Sequence, residues 1–111
     1  MKLEALVAEA REDLPQLQVL RRDLHQIPEF GLELPKTQER ILKSIHGLGT
    51  IVLGKKLHSI ALLIEGDNPG PTVLLRADMD ALAVVEDTDE PFKSTNGYMH
   101  ACGHDLHMAI G

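Results

Sequence analysis

The sequence predicts an α/β fold, because the spacing of its apolar residues changes along the chain. In residues 3–48 the apolar side chains recur every three or four positions, which is the helical period. The middle of the chain has short runs rich in Leu, Ile and Val, which favour strands. The last residues return to a helical pattern. We therefore expect helices before and after a small sheet.

A long amphipathic helix is predicted over residues 3–27. Its apolar face consists of Leu3, Leu6, Val7, Ala10, Leu14, Leu17, Leu20, Leu24 and Ile27. Pro15 lies inside this pattern and can divide the segment into two pieces, the second capped by Asp13. Pro28 closes the helix.

A second helix is predicted from Pro35 to His46, since proline suits the first helical turn. Its apolar stripe consists of Ile41, Leu42, Ile45 and Leu48. Gly47 and Gly49 supply the stop signal.

The strands come next. Leu57–Glu65 and Thr72–Ala77 are short and aliphatic, and the run Gly66–Pro71 between them is made of turn residues. We expect these two strands to form a β-hairpin, with a weaker strand at Thr50–Leu53. The unbroken apolar run at residues 73–75 predicts a strand that is buried on both faces.

The rest of the chain is a long loop and the beginning of a helix. Residues 78–99 show no period, and a loop of this length in a compact domain is often functional. A buried helix is predicted to begin at Asp105 and to continue to Gly111. Because so few strands leave exposed sheet edges, we expect the sequence to be the N-terminal part of a longer chain.

Composition excludes several classes of partner. The 111 residues carry 17 acidic and 11 basic side chains, and a net charge of −6 argues against nucleic acid or anionic membranes. A single cysteine, no apolar run of about 20 residues and no signal-peptide core predict a cytoplasmic protein. Most acidic side chains are expected on a solvated surface, among them Glu9, Glu12, Glu65, Glu86 and Glu90.

The segment from His100 to His107 concentrates the residues that bind transition metals. It holds three of the six histidines and the only cysteine. Cys102 and His104 flank Gly103, which permits a tight backbone path, and thiolate and imidazole are ligands that suit zinc. We predict Cys102 and His104 as metal ligands.

Other roles remain open for this cluster. Cys102 can instead be a small core residue, or a nucleophile activated by a histidine. His107 is equally well explained as a hydrogen-bonded helix residue. His100 can support a ligand, contact substrate or be a loop residue without function.

Two carboxylates follow the predicted buried strand. Asp78 and Asp80 are two positions apart, so in an extended segment they point the same way. Functional groups collect at the carboxyl ends of strands in open α/β sheets. Such a carboxylate can accept the N–H of a ligand histidine and fix its orientation. The alternative is a turn with capping aspartates.

A third candidate pair is His25 and Glu29. On local evidence, His25 is better explained by a favourable position at a helix C-terminus than by metal ligation.

The order of three segments is characteristic of a known family. Residues 20–29, 73–82 and 99–107, with Gly97 before the last, resemble the amidohydrolase branch of the di-metal aminoacylase/carboxypeptidase metallopeptidase family. That branch includes hippurate hydrolases, N-acyl-amino-acid amidohydrolases and indole-acetyl-amino-acid hydrolases.

The resemblance implies a fold and a site. It implies that residues 1–111 are the N-terminal portion of the catalytic domain, part of a zinc-aminopeptidase-like three-layer α/β sandwich, without the lid domain that often dimerises. It implies two divalent metal ions, Zn or Mn, with Cys102 and His104 as ligands and Asp80 as the active-site aspartate. Asp78 stands where more distant relatives have a ligand histidine but agrees with this branch, so it is not counted as a ligand.

The resemblance also implies an activity. The complete enzyme is expected to hydrolyse the amide bond of small-molecule N-acyl or N-aroyl amino acids and to be a homodimer. A glutamate base, a further glutamate ligand and two histidine ligands are expected beyond residue 111, so the 111-residue chain alone is expected to be inactive. Two alternatives are a non-catalytic small α/β protein with one structural metal or none, and a cysteine-nucleophile hydrolase.

Overall fold

The computed structural model describes residues 2–111 and shows three helices and a two-stranded sheet in that part of the chain. In chain order the elements are α1 (Leu3–Gln26), α2 (Pro35–Ile45), β1 (Thr50–Leu53), β2 (Ile60–Leu63) and α3 (His104–Ile110). The predicted mixture of helices and strands is therefore present.

Helix α1 is one continuous helix of 24 residues with Pro15 in its interior. The proline therefore does not divide it into two pieces. Residues 2–16 are exposed, and the buried part of α1 is confined to its C-terminal end, at Leu24 and His25. This end of the helix packs against α3.

Helix α2 begins at Pro35 as predicted and ends one residue before the predicted His46. Its first amide groups are capped by the carboxylate of Glu29. Oε1 of Glu29 accepts hydrogen bonds of 2.7 Å from both the backbone N–H and the hydroxyl of Thr37, and Oε2 accepts one of 3.3 Å from the N–H of Lys36. A carboxylate here satisfies orphan donors and favours the helix dipole, so Glu29 serves α2.

The predicted hairpin is wrong. Strand β2 pairs antiparallel with β1, in a register that runs from Thr50 opposite Leu63 to Leu53 opposite Ile60, and residues 72–77 form no strand. The predicted turn at residues 66–71 contains two prolines, which lack the N–H groups that strand pairing needs. The connection between β1 and β2 is short and contains no proline.

Glycine makes the close β1–β2 connection possible. The N–H of Gly54 donates a hydrogen bond of 3.0 Å to the carbonyl of Ser59. A Cβ atom at residue 54 would lie 2.6 Å from the carbonyl oxygen of Leu57, so only glycine fits there without a shift of the backbone.

The run at residues 73–75 is not buried on both faces, as had been predicted. Val73, Leu74 and Leu75 are 81%, 88% and 80% exposed. Burial on both faces requires a packed layer on each side of a strand, and residues 2–111 place no such layer there.

Residues 78–99 are irregular, as predicted, but the beginning and end of the segment are fixed by backbone hydrogen bonds. The N–H of Ala81 donates to the carbonyl of Glu29 at 2.8 Å. Leu82 and Met99 exchange two hydrogen bonds of 2.9 and 3.0 Å. These bonds hold both ends of the segment against the connection between α1 and α2.

The buried interior is as polar as it is apolar. Its hydrophobic members are Leu24, Leu34, Ala81, Met108 and Ala109, and its polar members are His25, Thr37, Glu86, Ser94, His100 and Asp105. The expectation of a solvated surface is therefore wrong for Glu86. Buried polar groups require hydrogen-bond partners, and most of these side chains have them.

His25 lies at the centre of the polar interior. Its Nδ1 is 2.7 Å from Oδ2 of Asp105, and its Nε2 is 2.8 Å from Oε1 of Glu86. Ionised carboxylates only accept hydrogen bonds, so this geometry fits an imidazolium ring that donates from both nitrogens. Nε of Arg21 donates to the same oxygen of Asp105 at 2.9 Å, so two cations face two anions. His25 thus bonds side chains in addition to occupying the last turn of α1 as predicted.

Several contacts determine the ionisation of Glu86. Burial alone would raise the pKa of its carboxyl group. The hydrogen bond from the N–H of Ser94, the hydroxyl of Thr88 and the positive charge and hydrogen bond of His25 outweigh burial, so the pKa lies below its usual value of 4.5.

We expect Glu29→Ala to lower the free energy of unfolding by about 1–2 kcal/mol, because α2 loses the cap on its first turn. Urea denaturation of the 111-residue chain measures the change. Glu33→Ala is the control, since Glu33 is exposed in the same connection. Equal losses in the two variants would contradict the capping role.

We expect Glu86→Gln to reduce the pH dependence of stability. Because the pKa of Glu86 is lowered in the folded chain, its contribution is present above about pH 4.5 and is lost as the pH falls through the folded pKa. The difference in urea midpoint between wild type and Glu86→Gln should therefore narrow from about pH 7 to about pH 3. Glu90→Gln, at an exposed position, is the control. A difference that stays constant with pH would count against this assignment.

Candidate metal centre

The start of α3 holds the two predicted ligands. Cys102 and His104 lie on either side of Gly103, whose φ of 89° is in the left-handed region that glycine adopts without strain. Cys102 is an exposed free thiol, and His104 is the first residue of α3, with a side chain that is 17% exposed. The reversal at Gly103 therefore separates an exposed thiol from a mostly buried imidazole.

The ring of His104 is oriented by Asp80. Its Nδ1 lies 2.8 Å from the backbone carbonyl oxygen of Asp80 and 3.1 Å from the carboxylate Oδ1 of the same residue. Both oxygens accept hydrogen bonds, so Nδ1 carries the hydrogen. In the neutral ring this leaves the lone pair on Nε2, which is the form in which histidine binds a metal.

Asp78 reaches the other side of the same ring. Its Oδ2 is 3.8 Å from Nε2 of His104, and its Oδ1 accepts a hydrogen bond of 2.6 Å from Nη2 of Arg76. The sequence predicted that Asp78 and Asp80 point the same way, and both carboxylates do face His104. Arg76 balances part of the negative charge at Asp78.

The donor chemistry at this place fits a divalent ion. His104 in its neutral form offers Nε2 as a donor, Cys102 offers an accessible sulphur, and the carboxylates of Asp78 and Asp80 supply negative charge. Over residues 2–111, however, no group of three or more His, Cys, Asp or Glu side chains is arranged to hold a metal ion. The described residues thus present individual donors without a complete coordination sphere.

His100 is buried beside this site. It is 4% exposed, and within the described chain neither of its ring nitrogens has a hydrogen-bond partner. Burial lowers the pKa of His100 below its usual 6.5; the charge of Asp105 opposes the shift, and His25 and His104 add to it. Burial without a hydrogen-bond partner therefore favours the neutral form of the His100 ring.

His107 is exposed on the next turn of α3. Its ring centroid lies 6.2 Å from that of His104, at an interplanar angle of 30°. Its backbone carbonyl accepts the N–H of Gly111 at 3.0 Å and closes the helix. The ring of His107 therefore lies next to that of His104 on the same side of α3.

The sequence reasoning missed the side chains behind the site. His25 bonds Glu86 and Asp105, and Arg21 bonds Asp105. The two partners in each of these bonds are 61 to 84 positions apart along the chain. Local patterns do not reveal such contacts. The one available signal was that Asp105 directly follows His104 at the start of a predicted buried helix.

None of the helices in the described part of the chain combines the length and the apolar character needed to cross a membrane.

Sequence comparisons identify similar proteins. Residues 74–111 match the family described as Peptidase family M20/M25/M40. The chain is 49% identical over 94 residues to the N-acetyldiaminopimelate deacetylase of Listeria innocua, which covers 82% of this chain and 25% of that protein. It is 50% identical over 94 residues to the deacetylase of the same name from Anoxybacillus flavithermus, with the same coverage.

Solved structures agree with the sequence matches. A protein assigned as an aminohydrolase from methicillin-resistant Staphylococcus aureus matches with a TM-score of 0.84 and 34% identity, over 97% of this chain and 29% of that one. A dinuclear metal-binding peptidase of the M20 family from Bacillus subtilis matches with a TM-score of 0.79 and 38% identity, over 86% and 27%. These matches confirm the predicted fold class.

The chain spans about a quarter of the length of the curated relatives that it matches. Within that span, the sequence identity, the structural similarity and the match that includes Asp78, Asp80, Cys102 and His104 all agree. The resemblance seen in the sequence is thereby confirmed: residues 74–111 match peptidase family M20/M25/M40, and the chain is similar to a solved M20 peptidase.

Proposed function

We propose that residues 1–111 are the N-terminal portion of the catalytic domain of a metal-dependent amide hydrolase. In this proposal Cys102 and His104 are ligands of a site for two divalent ions, and Asp80 is the aspartate that supports it. The proposal applies the chemistry of the family to a chain that covers about a quarter of the length of its relatives.

The observation that carries the proposal is the hydrogen bonding of His104. A backbone carbonyl and a carboxylate oxygen of Asp80 both lie within hydrogen-bond reach of Nδ1. This arrangement fixes the tautomer and leaves Nε2 available, which is the usual support of a metal-binding histidine. Within residues 2–111 Nε2 of His104 makes no hydrogen bond, and its side chain is 17% exposed, so this nitrogen has no structural partner.

The chain's own residues have distinct tasks in this site. Asp80 orients His104 and raises its basicity, and the Cys102 thiolate adds a soft, negatively charged donor. This donor pair favours zinc, with manganese as the second candidate. A bound divalent ion would supply polarisation of the amide carbonyl and a lowered pKa of water.

The proposed substrates are small N-acyl or N-aroyl amino acids. The relatives from Listeria innocua and Anoxybacillus flavithermus are named N-acetyldiaminopimelate deacetylases, and that name describes removal of an acetyl group from an amino acid. The Staphylococcus aureus structure is described as an aminohydrolase, which agrees with hydrolysis of a C–N bond. A cytoplasmic location and a homodimeric complete enzyme remain predictions.

The hydrogen bonds give no support to a cysteine nucleophile. Within residues 2–111 the thiol of Cys102 makes no hydrogen bond to an imidazole that could remove its proton. The imidazole of His104 is instead turned towards Asp80.

We expect the 111-residue chain to bind Zn²⁺ or Co²⁺ through Cys102 and His104. Cys102→Ser and His104→Ala should each weaken binding at least about tenfold, because each removes a donor. Calorimetry with Zn²⁺, and the thiolate-to-metal absorption band with Co²⁺, measure the change. His46→Ala is the matched control, since His46 is an exposed histidine at the end of α2. Equal affinity in all four proteins would contradict the ligand assignment.

We expect the purified 111-residue chain to hydrolyse no N-acetyl or N-benzoyl amino acid. The described residues supply oriented donors but no group of three that could hold a metal ion. Release of free amino groups in the presence of Zn²⁺ or Mn²⁺ measures the activity, with His104→Ala as the blank. Hydrolysis by the wild type that disappears in His104→Ala would overturn the expectation of inactivity while supporting the site.

A further inference from the structure

Four charged side chains, three of them buried and Arg21 27% exposed, meet next to the helix start that carries His104. This group, the His25 cluster, consists of Arg21, His25, Glu86 and Asp105. The His25 side chain is 4% exposed, and the carboxylates of Glu86 and Asp105 are 0% and 1% exposed. Charges that are removed from water to this degree hold their partners in a defined geometry, because each lost bond leaves an uncompensated buried charge.

One end of the cluster fixes the first turn of α3. Asp105 directly follows His104 in the sequence, and its carboxylate is held by His25 and Arg21 from the last two turns of α1. The next backbone N–H, that of Leu106, donates to the other oxygen of Asp105 at 3.0 Å. The position and rotation of the helix start, and therefore of His104, depend on these contacts.

The other end of the cluster fixes the irregular segment that contains Asp80. Glu86 accepts the backbone N–H of Ser94 at 2.9 Å and the hydroxyl of Thr88, and it accepts a hydrogen bond from Nε2 of His25. The ring of His25 thus bonds on one side to the segment of Asp80 and on the other side to the helix of His104.

We infer that His25 is a positioning residue for the candidate metal centre. By joining Glu86 to Asp105, it keeps Asp80 and His104 at the separation at which Nδ1 of His104 donates to Asp80 and Nε2 makes no hydrogen bond. The inference deepens the proposed function and rests on it where metal binding is concerned, but the His104–Asp80 contact can be tested without metal.

An imidazolium suits this position better than other side chains. Its two N–H groups lie on opposite sides of a rigid ring and match the two carboxylate distances of 2.7 and 2.8 Å. Phe92 packs its ring edge-to-face against His25, with the centroids 5.6 Å apart, and limits rotation of the imidazole. Glutamine has one amide nitrogen and no charge, so it cannot bond both carboxylates in the same way.

The test compares His25→Gln with a control histidine. His58→Gln is matched, because Nδ1 of His58 accepts the backbone N–H of Leu34 at 3.0 Å, a structural hydrogen bond outside the cluster. For each folded protein, ¹⁵N NMR of the imidazoles reports the tautomer of His104, and titration with Co²⁺ reports the affinity and the thiolate absorption band.

We expect His25→Gln to abolish the single Nδ1–H form of His104 and to weaken Co²⁺ binding about 10–100-fold, while His58→Gln leaves both within about twofold of wild type. An unchanged tautomer and affinity in folded His25→Gln would overturn the inference and leave the proposed function standing.

If wild type binds no Co²⁺, the metal-ligand proposal fails. The tautomer of His104 then decides the positioning role. Loss of the single Nδ1–H form in His25→Gln but not in His58→Gln supports the role, and persistence of that form in His25→Gln overturns it.

A second variant covers the case in which His25→Gln does not fold. Glu86→Gln keeps an oxygen that can accept the N–H of Ser94 but removes the negative charge that faces His25. We expect it to shift the His104 tautomer and to weaken Co²⁺ binding in the same direction. Wild-type values of both would overturn the inference.

Discussion

The structure depends on the placement of one imidazolium between two buried carboxylates. Few apolar side chains of the described chain are buried, so the polar interior must carry much of the specificity of packing. Removing charges from water is costly, and the cost is offset only when every partner is in place. His25 meets Glu86 and Asp105 at 2.8 and 2.7 Å, and Arg21 adds the second positive charge. The contact therefore brings together α1, the irregular segment and α3 as a set.

The candidate site follows from this packing. The end of α1 fixes Asp105, and the residue before Asp105 is His104. The connection after α1 holds Ala81 through the carbonyl of Glu29, and the residue before Ala81 is Asp80. His104 and Asp80 thus each directly precede a residue that is held by a hydrogen bond, Asp105 and Ala81 respectively. The anchors are buried and the functional atoms face outwards, which is how a rigid interior can orient an accessible ligand.

The sequence predicted those features that depend on residues close together in the chain. Helix α2 begins at the predicted Pro35, and α3 begins one residue before the predicted Asp105, because proline and glycine act on their immediate neighbours. Asp78 and Asp80 point the same way, as their spacing of two residues predicted, and both face His104. The predicted pairing of residues 57–65 with residues 72–77 was wrong, because β2 pairs with β1 instead. The choice of partner depends on which of two connections forms a tight turn. The burial of Glu86 could not be predicted, because its partners lie far away in the sequence and its own neighbours resemble those of exposed glutamates.

The family could be identified from so short a chain because residues 74–111 contain several residues of the candidate site together with the groups that orient them. Ligation at a metal centre draws donors from several parts of a fold, whereas orientation of each donor is set by its immediate surroundings. Residues 74–111 include Asp80, Cys102 and His104, and α1 supplies His25, whose ring bonds the carboxylate of Asp105 next to His104. The described residues therefore contain the contacts that orient His104, although no group of three donors is assembled in them. The tautomer of His104 is accordingly the property of this chain that links its fold most directly to the proposed chemistry.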